Sequence, residues 1–311
     1  MNLSADQIAI RDAAEGFLAA NASFDHVRRA LAEPEGWSRD LWSRFGVELG
    51  FAGLAVPTVQ GGSGLGLAEL ALVAEELGAC LAPMPWFEIA VLSALTLQAA
   101  GATVQQSDIA AGRVVTLAMR DELGRPLPLG TGPEIRNGAL EGEAHFVPFG
   151  HVAEQLIVAA REHGGISLFA IAADAPGVEI IPKVTLDPTR PMASIRFARV
   201  EVGSARLGAA GQSEEALMRA LGLSAAVLAA EQVGGMRRTL KDTPGREPGP
   251  NTFNWSSGPK SRKSKSRNTD TTWDLACKPH RPTPAELRVP SVSRCHGVGK
   301  SGESECRSSG S

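Results

Sequence analysis

The stretch ELGFAGLAVPTVQGGSGLGLAELALVAEELGACLAPMPW, Glu48 to Trp86, places a glycine-rich loop between two apolar helical runs. Upstream, SRDLWSRFGVELGFAGLAVP reads as a helix that begins near Ser38 and stops at Gly46 or Gly50. Downstream, LAELALVAEELGACLAP reads as a second helix, closed by Gly78 and Pro83, because glycine accepts the left-handed turn that ends helices and proline cannot continue one. The loop itself, QGGSGLG from Gln60 to Gly66, invites a phosphate-binding reading. It lacks a following Lys-Ser/Thr and does not match G-x-G-x-x-G between a strand and a helix. Its glycines are read instead as turn formers.

Working outward, two more helices complete the first region. LSADQIAIRDAAEGFLAA offers Ser4 as an N-cap with Gln7 three positions on, the pattern of a capping box. FEIAVLSALTLQAAG ends on Gly101. After Gly112 the period changes to short β-branched and aromatic runs: RVVTLAMR, EGEAHFVPFG, EQLIVAAR, ISLFAIA, GVEIIPKV and ASIRFARVEV, separated by Gly, Pro and Asp. Strands spaced by turns without intervening helices predict an antiparallel barrel or sandwich. At Ser213 the helical period returns and runs to Leu240, with Glu214 and Glu215 in the first turn, where the helix dipole favours acids.

The composition then breaks. Residues 241–311 hold 13 Lys+Arg and 7 Asp+Glu, net +6, against a net −9 for the first 240. They also hold eight prolines and twelve serines, with few apolar residues beyond Phe253, Trp255, Trp273, Leu275 and Leu287. Such a segment buries too little surface to offset its ordering entropy and is expected to be disordered. KSRKSKSR, Lys260 to Arg267, is a basic run of the kind that contacts nucleic acid; in this setting it is read as solvated charge, with no nucleic-acid partner. No transmembrane span is expected, and the acidic N-terminus lacks a signal peptide's basic flank, so the chain is read as cytoplasmic. Four cysteines and six histidines show no metal-ligand spacing, and no metal is expected. Glu75 and Glu76 are read as a solvated helix face. Leu217, Leu221, Val227 and Leu228 are read as an apolar stripe left without cover.

The order of these regions carries a resemblance. Glu48 to Trp86 resembles the N-terminal domain of acyl-CoA dehydrogenases, whose signature there is close to L-G-x-x-G-L-x-x-P-E-x-x-G-G-x-G followed by an acidic helix. EGEAHFVPFGHVAEQLIVAAREHGGISLFAIAADAPGVEII looks like the family's middle β domain, and SAAVLAAEQVGGMRR is similar to the first helix of its C-terminal domain. The resemblance implies an α+β chain: an N-terminal helical domain at 1–111, a middle β domain at 112–205, a remnant of the C-terminal four-helix bundle at 206–240, and an unrelated, out-of-frame tail at 241–311. It implies FAD as cofactor, an acyl-CoA thioester as substrate, an electron-transfer flavoprotein as partner, and a homo- or hetero-oligomer with a related subunit.

The same resemblance marks what this sequence lacks. The family continues the Val233-Gly234-Gly235 helix into R-x-x-Q-F-G, whose arginine reaches FAD, and carries its glutamate base further on; KDTPGREPGPNTFNW stands here instead. No catalytic residue is therefore assigned. The positions that would meet the flavin are Met119 and Arg120, where the family has A-x-T-E-P, and Phe146 and Pro148, where it has W-I-T-N. Pro148 offers neither hydroxyl nor N–H to a ring. A FAD-poor, non-catalytic partner subunit of a heteromeric enzyme is the alternative reading.

Overall fold

A computed structural model describes residues 3–243. The expected disorder of 241–311 and the Lys260–Arg267 run thus lie almost wholly, or wholly, outside the described residues. The first helices are α1 (Ala5–Asn21), α2 (Phe24–Ala32) and α3 (Arg39–Trp42), the last running on in a wider π-helical turn over Ser43–Glu48. Next come α4 (Leu67–Cys80), a second π-helical turn over Phe87–Ser93 continuing into α5 (Ala94–Ala99), and α6 (Thr103–Ala110).

Ser4 caps α1 in the predicted box: its hydroxyl accepts from the Gln7 N–H, and Gln7 Oε1 accepts from the Ser4 N–H. Ser38 caps α3 as read. Gly50, with φ of 77°, makes the turn that ends the helical run. The end of α4 is a correction. Gly78 lies inside the helix and Leu81 takes the left-handed position, with its N–H donating to the Leu77 carbonyl. Two helices escaped the reading. α2 is short, and α6 follows Gly101 with no side-chain cap to announce it.

In the glycine-rich loop a Cβ on Gly62 would stand 2.1 Å from the Val56 carbonyl oxygen, and Gly61 and Gly64 both have positive φ. Backbone is packed on backbone there, as the turn-former reading requires.

The middle region forms one eight-stranded sheet from β1 (Val115–Ala118), β2 (Glu134–Arg136), β3 (Ala139–Pro148), β4 (Gln155–Glu162), β5 (Gly165–Ala172), β6 (Val178–Lys183), β7 (Met192–Glu201) and β8 (Arg206–Leu207). Its order is β6-β7-β3-β2-β4-β5-β8, with β1 beside β4. Most pairs are antiparallel, but β1 and β2 each pair with β4 in parallel. The sheet is therefore mixed, because the long excursion after Ala118 brings the chain back in the same direction, a reversal that strand patterns do not encode. Leu140, Ala144, Leu156, Val158, Phe169, Ile195 and Phe197 are buried on its inner side.

The last element, α7 (Glu214–Asp242), lies along α4. A Cβ on Gly78 would fall 1.9 Å from the Glu231 carbonyl oxygen, and one on Gly234 would fall 1.8 Å from that of Glu75. Only glycine lets two helices approach this closely. Leu217 and Val227 are fully buried in the core. The uncovered stripe predicted on those residues is accordingly corrected: α4 and α5 cover them, and the exposed apolar side chains of α7 are Met218, Leu223, Val233, Met236 and Leu240. By length and composition α7 passes as a membrane-crossing helix, the one such helix among the described residues. Its glycine face and its charged contacts are nevertheless engaged by the rest of the fold.

Candidate functional site

Between the sheet, the π-helical turn at Phe87 and α7 lies a cavity of about 390 Å³, within the size range of small-molecule sites. Met119, Arg120, Phe146 and Pro148, the four residues picked out in the sequence, all line it. Leu117, Leu92, Met192 and Leu228 add apolar wall, and Glu88 and Arg190 add charge.

Each wall has a local cause. Met119 and Arg120 follow β1, where the Met119 carbonyl accepts from Leu127 N–H and the Arg120 carbonyl from His145 N–H. The turn beyond them is organised by Asp121, a carboxylate only 1% exposed. It accepts from the N–H groups of Leu123, Arg125 and Thr131 and from Arg125 Nε. Burial opposes its ionisation, yet these donors prevail and hold the carboxyl below the usual carboxylate range. The turn sets Leu123 and Gly124 on the cavity's edge, and Arg120 Nη1 donates to the Gly124 carbonyl at 3.0 Å. Arg120 makes no ion pair among the described residues.

Phe146 and Pro148 end β3, where the register with β7 shifts between Ala144 and Val147. At that irregularity Phe146 has φ of 51° and remains 41% exposed, its ring turned toward Gly124. Phe146 is therefore not part of the buried core of the sheet. Thr116 Oγ1 donates to the Pro148 carbonyl at 2.8 Å, and residue 148 has no N–H to offer.

The sequence reading missed the charged wall. Glu88 is 1% exposed, Arg190 Nε stands 3.1 Å from its Oε1, and Arg190 Nη2 donates to Glu231 Oε1 at 2.7 Å. Three elements meet here: the π-helical turn, the β6–β7 connection and α7. Burial pushes the Glu88 and Glu231 carboxyls up, with Arg190 opposing it, while the two carboxylates hold Arg190 firmly charged. A glutamate inside FEIAVLSALTLQ was the available signal, because an acid in a twelve-residue, mostly apolar run must find a partner.

Elsewhere, Glu76 is buried and paired with Arg237, and Arg237 also meets Glu75. The solvated-face reading of these acids fails because α7 supplies their cation. His145 contacts Ser194 Oγ at 3.0 Å, and His151 contacts the Glu35 carbonyl at 2.8 Å, both packing roles. Among the described residues no group of three or more His, Cys, Asp or Glu is placed to hold a metal.

Comparison with known proteins shows what this chain resembles. Residues 4–111 match the family model described as acyl-CoA dehydrogenase, N-terminal domain. Acyl-CoA dehydrogenase FadE27 of Mycobacterium tuberculosis is 32% identical over 168 residues, 52% of this chain and 44% of that protein. The fold is shared with the ChsE4-ChsE5 complex from Mycobacterium tuberculosis, TM-score 0.68 at 24% identity over 77% of this chain and 66% of that one. It is also shared with the FAD complex of PigA, TM-score 0.66 at 24% identity over 78% and 68%. Residues 4–111 are thus similar to an acyl-CoA dehydrogenase N-terminal domain, and residues beyond them share the fold of these solved structures. It spans less than half the length of FadE27.

The cavity can be tested against FAD, which the PigA complex holds. Leu117, Met119, Met192 and Leu228 offer apolar walls, with the exposed Phe146 ring beside them and Arg120 as a cation at the edge. These walls fit an aromatic ring system. The one mismatch is Pro148, whose N–H is absent and whose side chain carries no hydroxyl.

Proposed function

We propose that this chain holds the substrate and flavin walls of an FAD-dependent acyl-CoA dehydrogenase but does not complete the reaction alone. The observation that carries this reading is the single cavity lined by Met119, Arg120, Phe146 and Pro148. Met119 and Phe146 would pack on the ring, Arg120 would face its polar edge, and Pro148 would close the end of β3 behind it. The chemistry FAD supplies when bound is acceptance of a hydride equivalent from the β-carbon of an acyl thioester. A base must then take the α-proton from the opposite face. In the family that base follows the stretch corresponding to α7, and residues 241–311 hold nothing resembling it.

Addition of FAD to the purified chain, followed by an acyl-CoA, tests both halves. The expected result is weakly held flavin whose visible absorption survives the acyl-CoA. Stoichiometric flavin that bleaches on adding acyl-CoA would overturn the claim of incompleteness.

A second reading has its own support. Met218, Leu223, Val233 and Met236 lie exposed on α7, a face suited to helices of a related subunit in a heteromeric enzyme. In that assembly the partner supplies the base, and electrons pass to an electron-transfer flavoprotein. Co-expression with a related full-length subunit is expected to give a stable complex; failure to co-purify would sink this reading.

A further inference from the structure

The charged wall of the cavity is not explained by flavin or by a plain acyl chain. Glu88 Oε1 is buried without a hydrogen-bond partner. Arg190 Nε is close to it at 3.1 Å, but the pair is not aligned as a hydrogen bond. Arg190 spends Nη2 on Glu231, lies against the Phe87 ring at 5.4 Å, and keeps 29% of its side chain exposed. Glu88 and Arg190 both line the cavity, beside Leu92, Met192 and Leu228. An apolar chamber that ends in an unsatisfied carboxylate and a partly free guanidinium is built to receive a polar group.

Electrostatics choose the group. Arg190 is one cation among Glu88, Glu231 and the nearby Asp187. A ligand carboxylate arriving there meets more negative charge than positive and is repelled. A ligand ammonium would meet the guanidinium itself. A hydroxyl can accept from Arg190 and donate to Glu88, and it reverses those roles if Glu88 is protonated. Burial, which pushes the Glu88 carboxyl up, makes that second state accessible, and only a group that both donates and accepts suits both.

We propose that Glu88 and Arg190 form a polar subsite for a hydroxyl on the distal part of an otherwise apolar ligand. Under the acyl-CoA reading, on which the substrate class rests, the ligand is a hydroxylated acyl-CoA with its thioester away from this wall.

Calorimetric titration of the full chain tests this with two probe series. The first is ω-hydroxydecanoyl-CoA, decanoyl-CoA and decanedioyl-CoA; the second is 1-decanol and decanoate, which carry no CoA. The hydroxyl compound is expected to bind about tenfold tighter than decanoyl-CoA, the value of one well-made hydrogen bond to a charged group, and decanedioyl-CoA is expected to bind weakest. In Glu88→Gln, with an unchanged circular dichroism spectrum, the hydroxyl advantage is expected to fall below twofold. Arg190→Lys, which keeps the charge and loses the fork, serves if the first variant fails to fold and is expected to do the same. If no CoA thioester binds while 1-decanol still outbinds decanoate in a Glu88-dependent way, the subsite stands and the acyl-CoA reading falls. Equal binding of ω-hydroxydecanoyl-CoA and decanoyl-CoA together with equal binding of 1-decanol and decanoate, or preference for the carboxylates, overturns the subsite.

Discussion

At the scale of single residues, Pro148 and Glu88 make opposite statements about the cavity. Pro148 removes a donor where a ring would want one, and its carbonyl is held by Thr116. Replacing it by threonine returns an N–H and a hydroxyl at the end of β3. Pro148→Thr is expected to tighten FAD binding several-fold, measured by quenching of flavin fluorescence; unchanged or weaker binding would show that residue 148 does not face the ring. Glu88 instead adds a polar group where apolar wall would suffice. Its carboxyl is pushed up by burial, so the folded state binds a proton that the unfolded chain releases. Stability from this source is fully present below the ordinary carboxylate pKa and is lost as pH rises through the raised one. Glu88→Gln is expected to shrink the fall in Tm between pH 5 and pH 8, read by thermal denaturation. An undiminished fall would place the titration elsewhere.

At the scale of elements, the turn after β1 and the α4–α7 pair are held in different ways. Asp121 gathers three backbone N–H groups and the Arg125 side chain, and its carboxyl sits below the usual range. That contribution is present above the unfolded pKa and is lost as pH falls through the depressed one. Hydrogen-exchange protection factors at the Leu123, Arg125 and Thr131 amides are expected to fall in acid before those of the sheet, and in Asp121→Asn to be low already at neutral pH. The helix pair depends on the absence of side chains. Gly234→Ala must move either α7 or the Glu75 backbone, a cost of about 1–3 kcal/mol for overpacking. Chemical denaturation should report it, whereas Gly222→Ala, with nothing within 4 Å of the added carbon, is expected to be neutral or stabilising.

These elements also show what could be seen in the sequence. Ser4 with Gln7 announced the first helix, since capping is written in adjacent residues. Gly78 misled, because a glycine that ends a helix and one that admits a neighbouring helix look alike until the neighbour is known. Leu217 and Val227 were read as bare for the same reason: their cover comes from α4 and α5, far back in the chain. Phe146 and Pro148 were legible as candidates only through their place in a family pattern. The Glu88–Arg190–Glu231 cluster joins three distant segments, and no local spacing contains it.

At the scale of the whole molecule, the described residues form an N-terminal helical region, a mixed sheet and one long helix, around a cavity to which all three contribute. Val233, Met236 and Leu240 lie exposed toward the far end of α7. Replacing Met218 and Met236 with glutamate is expected to reduce self-association in sedimentation velocity without changing the circular dichroism spectrum. Persistence of large species would mean that this face is not what drives it.

The pairing of Arg237 with Glu76 spans 161 residues of chain. During synthesis α4 must therefore leave the ribosome and wait, its glycine-lined side open, while the entire sheet is translated. At about 5–20 residues per second that interval lasts roughly 10–30 s. Any destabilisation of the sheet lengthens the time for which α4 stands without its partner. Substitutions in β3 or β7 should then lower the yield of soluble chain more than they lower its final stability, with cooler expression or a bound chaperone restoring the difference.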